Sequence, residues 1–93
     1  MSDIFEITAD NKLIRLTTTQ WRHIIYRHPE MINRINQIQN TIINPDYRLY
    51  FDENIRKYYK YLKDKNQYIM VSIKVLNGHG FVITSYMTRK IQK

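Results

Sequence analysis

The 93-residue chain has no cysteine, only two glycines and two prolines, and a shortage of acidic side chains. Without cysteine there can be no disulfide framework and no thiolate metal site, so the fold must rest on packing alone, which fits a reducing, cytoplasmic setting. No stretch approaches the roughly 18 apolar residues of a membrane span. The opening Met1-Ser2-Asp3 carries a negative charge and no apolar run, so no signal peptide is expected and no membrane partner either. At this length the chain is expected to form one domain over 1–93, with room for a single core.

The charge is unevenly spread. Met1 to Asp46 holds five basic and five acidic residues, whereas Tyr47 to Lys93 holds ten basic and three acidic, so the second half carries the whole net charge of +7. A basic surface of this kind suits a polyanion. A membrane surface would accept it too, but no strongly amphipathic basic helix is present.

Ile4 to Thr8 and Lys12 to Leu16 read as a small hairpin around Ala9-Asp10-Asn11. Thr17-Thr18-Thr19 offers an N-cap to a helix with Trp21, Ile24, Ile25 and His28 on one face. Pro29 ends that helix and suits the first position of a second, whose stripe is Met31, Ile35, Ile38 and Ile42, stopping at Asn44-Pro45. Four β-leaning segments follow: Tyr47 to Phe51, Arg56 to Lys63, Tyr68 to Leu76 and Phe81 to Thr88. The expected fold class is therefore α+β, with two N-terminal helices packed on one face of a four-stranded antiparallel β-meander and a short leading β-hairpin at an edge.

Gly78-His79-Gly80 reads as a three-residue loop between the last two strands, which would set Lys74 opposite Thr84 and Ser72 opposite Tyr86 on a polar face. The strand Arg56 to Lys63 alternates poorly, so its register is open by one residue; either register brings Tyr and Lys beside Ser72. Tyrosine among lysines suits nucleic acid, because ammonium groups neutralise phosphate while rings stack on unpaired bases. A merely solvated sheet surface has the same composition.

Cleaving RNA without a metal requires a base for the 2′-hydroxyl, an acid for the leaving oxygen, and cations or hydroxyls around the phosphorane-like transition state. His23 and His28 project about 140° apart on a regular helix, so they cannot share a site there. His28 lies on the apolar stripe at the Pro29 bend and suits either an acid–base group or a satisfied core histidine. His23 lies on the solvent side with Arg27 four residues on, and His79 at a hairpin tip. Lys74 is a candidate phosphate clamp. Candidate catalytic residues are thus His28, His23, Lys74, Thr84 and Tyr86. Candidate RNA contacts are Arg27, Lys57, Tyr59, Lys60, Tyr61, Ser72 and Ser85. His23, His28 and Glu30 lack a sensible ligand spacing, so no metal and no other cofactor is expected.

The string from Trp21 through His28-Pro29-Glu30-Met31, then Thr41-Ile42-Ile43-Asn44-Pro45-Asp46 and Gly80-Phe81-Val82-Ile83-Thr84-Ser85-Tyr86, resembles the phage-type Barnase/EndoU/colicin/RelE-like nuclease domains. The likeness runs from about Leu16 to Lys90. It implies a two-helix, four-strand RNase fold with a metal-independent site on the sheet, often in a toxin of a toxin-antitoxin pair. The helix histidine, basic residue and sheet hydroxyl common in such domains would fall on His23 or His28, Lys60 or Lys74, and Thr84 or Tyr86. The expectation is a cytoplasmic, toxin-like endoribonuclease acting on mRNA or tRNA, with an acidic antitoxin or immunity protein as partner. The alternative is a non-catalytic nucleic-acid-binding or protein-interaction module.

Overall fold

Asp10 and Asn11, at φ of 56° and 59°, form a two-residue turn that folds β1 (Asp3–Ala9) back on β2 (Lys12–Thr17), with Ala9 opposite Lys12. Both residues take the left-handed conformation that such a tight hairpin requires, and Asp and Asn tolerate it best after glycine. The computed structural model describes residues 3–92. Thr17 then caps α1 (Thr18–Arg27), its hydroxyl accepting from the Gln20 backbone N–H at 3.1 Å. That bond satisfies one of the four donors that a helix start leaves open. α1 buries Trp21 and Ile24 and leaves Arg22, His23, Tyr26 and Arg27 in water.

Pro29 does not open a full helix. It begins a single 3-10 turn, Pro29–Met31, and α2 (Ile35–Ile43) follows only after a break at Asn33 and Arg34. The expected stripe nevertheless faces inward, with Met31, Ile38 and Ile42 buried and Ile35 packed against the same core. The remaining strands are β3 (Tyr47–Tyr50), β4 (Ile55–Leu62), β5 (Gln67–Leu76) and β6 (His79–Thr88).

The four-stranded antiparallel meander with a separate leading hairpin is not what forms. The six strands make one mixed sheet in the order β1-β2-β6-β5-β4-β3, because β2 pairs in parallel with β6 through Leu13–His79, Ile14–Gly80 and Arg15–Phe81. The helices are the crossover from one end of this sheet to the other. Gly80 makes the parallel contact possible: a Cβ there would lie 2.8 Å from Ile14 Cγ1.

The loop between β5 and β6 also differs from expectation. Asn77 and Gly78, at φ of 53° and 80°, form the turn, and Leu76 faces His79 across it. Register then slips once between Ser72 and Ile73, leaving Ile83 unpaired as a bulge. Ser72 therefore lies opposite Thr84 rather than Tyr86, and Lys74 opposite Phe81 rather than Thr84.

The core lies on the helix side, where Ile69, Val71 and Ile73 of β5 meet Tyr58, Val82, Ile14 and Leu16 from neighbouring strands. Side chains link the leading hairpin to the far strands of the sheet. In the β1–β2 turn, Asp10 Oδ1 accepts from Arg48 Nη1 at 3.2 Å, and Oδ2 accepts from Arg56 Nη1 at 3.0 Å and the Tyr58 hydroxyl at 3.4 Å.

Candidate nucleic-acid interface

The face of the sheet turned away from the core is organised in rows by strand register. One row runs Leu49, Lys57, Ser72, Thr84 across β3 to β6; the next runs Tyr47, Tyr59, Met70, Tyr86; a third runs Tyr61, Tyr68, Thr88. The bulge at Ile83 sets this alignment. Without it Thr84 would fall in phase with Val71 on the core side; with it Thr84 and Tyr86 stand on the open face.

The same bulge frees the Ile83 carbonyl, which accepts from the Gln20 side chain. β2 pairs with β6 only as far as Phe81, so α1 lies against the stretch of β6 that β2 leaves uncovered. Pro29 then fixes how α1 ends. His28 leaves the helix at φ −136° and ψ 73°, its N–H bonded to the Ile24 carbonyl at 2.7 Å and its carbonyl accepting from Met31 at 3.0 Å. The His28 ring thereby meets the Tyr86 ring, 5.1 Å between centroids and tilted by 42°.

Burial, with Tyr59 close by, pushes the Tyr86 hydroxyl above the usual tyrosine range. It is a proton donor at neutral pH. Tyr59 is itself buried, and its hydroxyl accepts from the Gln92 backbone N–H at 3.4 Å. Lys57 is half-buried, with Nζ 4.6 Å from the Phe51 ring centroid.

Of the residues singled out in the sequence, His28, Tyr86, Thr84, Ser72, Lys57, Tyr59 and Tyr61 share this side of the molecule. Lys74 is exposed one row further along, between Ile55 and Phe81. Four others lie elsewhere. His23 and Arg27 are on the solvent side of α1. Lys60 alternates onto the helix side, where Nζ donates to the Asn44 carbonyl at the end of α2, at 2.8 Å. Ser85 is fully buried and its hydroxyl donates to the Met70 carbonyl at 2.7 Å. Neither Lys60 nor Ser85 is available to the open face in this arrangement.

Sequence reasoning missed Tyr47 and Tyr68, which join Tyr59 and Tyr61 in one aromatic cluster. The Asn77-Gly78 pair was the signal for the β5–β6 turn, but the register at Thr84 and Tyr86 is set by the bulge at Ile83, which no residue type marks. An open recess lined by Ile32, Asn33, Ile35 and Asn36 offers no titratable group. Among the described residues no three His, Asp or Glu side chains gather, and no helix is long and apolar enough to cross a membrane. No family model, curated protein or solved structure matches the chain.

Proposed function

We propose that the open face binds RNA and cleaves it through attack by the 2′-hydroxyl, in the manner of a toxin-like endoribonuclease. The observation that carries this reading is the contact between His28 and Tyr86 beside the Lys57–Ser72–Thr84 row. His28 is an imidazole, the side chain best suited to take a proton near neutral pH. Tyr86, a phenol protonated at neutral pH, would donate a hydrogen bond to the phosphate or a proton to the leaving oxygen. Lys57 supplies positive charge and Thr84 a hydroxyl for orientation, while Ser72 is buried within the row. Lys74 would hold a phosphate one row away from this group. His23, being on the far side of α1 and exposed, is the rival that the same experiment tests.

The net charge of +7 and the concentration of basic residues from Tyr47 onward favour a polyanionic substrate. An acidic antitoxin or immunity protein covering the same face would be the matching partner. The experiment is incubation of total RNA with purified protein in EDTA, alongside His28→Ala and His23→Ala. Discrete fragments from the wild type and His23→Ala, with none from His28→Ala, support the reading. Intact RNA with every protein, together with salt-sensitive binding, would replace it by the non-catalytic binding module.

A further inference from the structure

Tyr68 is the hub of an aromatic cluster on the open face. Its ring makes steep edge contacts with Tyr61 at 5.3 Å, Tyr47 at 6.2 Å and Tyr59 at 6.4 Å between centroids. Tyr59 is buried, with the Gln92 backbone on its hydroxyl, whereas Tyr47 and Tyr61 remain 50% and 39% exposed. Two of these rings, on the adjacent strands β3 and β4, are left in water, with Tyr68 on β5 half-buried beside them. Tyr61 is also held in place: its hydroxyl bonds to the Asn66 side chain and its backbone N–H donates to Asp46 Oδ2 at 2.7 Å. A ring fixed in this way loses little freedom when something stacks on it.

The surroundings are basic. The β4–β5 turn beside Tyr61 carries Lys63 and Lys65, and Arg89 follows Thr88, which is paired with Tyr68; all three are exposed. Of the nearby carboxylates, Asp46 is engaged by the Tyr61 N–H, leaving Asp64 in the turn. Fixed aromatic rings with a cationic rim match a strand whose bases are unpaired and whose phosphates run alongside. A duplex hides its base faces and cannot use the rings.

We propose that Tyr47, Tyr61 and Tyr68 form a nucleobase-stacking subsite, with Lys63, Lys65 and Arg89 receiving the adjoining phosphates, so that the substrate is single-stranded RNA. This rests on the nucleic-acid reading above but not on cleavage.

The test uses two uncleavable probes of equal length and charge, a 2′-fluoro RNA and its abasic counterpart, together with the 2′-fluoro duplex. Binding is followed by fluorescence anisotropy. The full chain is expected to prefer the base-bearing single strand over the abasic probe, and over the duplex, by about tenfold or more, the scale of one stacked base. Tyr61→Ala should lose most of that preference, Tyr61→Trp should keep it, and Lys63→Gln with Lys65→Gln should weaken both single strands alike. Equal binding of base-bearing and abasic probes by the wild type would overturn the proposal. So would an unchanged preference in Tyr61→Ala, and the cluster would then be a surface for another polypeptide. Because no probe can be cut, a failure of the catalytic reading leaves these outcomes unaffected.

Discussion

Two tyrosines illustrate how single side chains tie stability to pH. Burial raises the hydroxyl pKa of Tyr58, with the Asp10 carboxylate adding to the shift, and burial likewise raises that of Tyr86. In the unfolded chain both would ionise near the ordinary value of about 10. The folded state therefore holds these protons more tightly, so the stabilisation is complete below pH about 10 and is lost as pH rises through the higher folded values. Melting temperatures measured from pH 9 upward should fall, and Tyr58→Phe should fall less steeply than the wild type. Tyr86→Phe tests a second role. Removal of a donor aimed at developing charge costs on the order of a hundredfold in rate, so RNA cleavage by Tyr86→Phe should drop by about that factor while the fold persists.

At the scale of elements, the pairing of β2 with β6 depends on Gly80. A side chain there would collide with Ile14, which is completely buried. Overpacking of this kind typically costs about 1–3 kcal/mol. Gly80→Ala should lower the denaturation midpoint by a corresponding amount, and Gly80→Val by more, as read by urea unfolding. The individual elements were largely legible in the sequence: Thr17 marked the start of α1, Pro29 its end, and Met31, Ile35, Ile38 and Ile42 the apolar stripe. The parallel β2–β6 pairing was not. It joins segments more than sixty residues apart in sequence with no turn between them to signal it, and the small residue that permits it looked like part of a loop. The β5–β6 register failed for a different reason. A two-residue Asn77-Gly78 turn followed by a bulge keeps Thr84 and Tyr86 on the same face that a three-residue loop would give, but shifts their partners by two residues.

Across the whole molecule, Asp10 links the turn of the leading hairpin to Arg48 on β3 and Arg56 on β4, at the far side of the sheet. Asp10 and Arg56 are each largely withdrawn from water, so Asp10→Ala would leave a guanidinium without its partner. The loss is expected to be about 1–3 kcal/mol, seen as a lower melting temperature. That link could not be read from sequence, since it joins residues some forty positions apart across a sheet whose strand order depends on the parallel β2–β6 pairing. The candidate site divides on the same principle. Polar alternation located Ser72, Thr84 and Tyr86 on one face, whereas the meeting of His28 with Tyr86 depends on α1 lying beside the uncovered half of β6. Lys60 and Ser85, whose side-chain chemistry suits an RNA contact, instead serve the helix side and the core.

The measurement that bears most directly on the central claim is the chemistry of the cut ends. A short RNA is incubated with the protein in EDTA, next to the same RNA carrying a single 2′-deoxy sugar at the cleaved position. Attack by the 2′-hydroxyl should leave a 2′,3′-cyclic phosphate and spare the deoxy substrate. Intact RNA, a 3′-hydroxyl end, or cleavage at the deoxy position would contradict it.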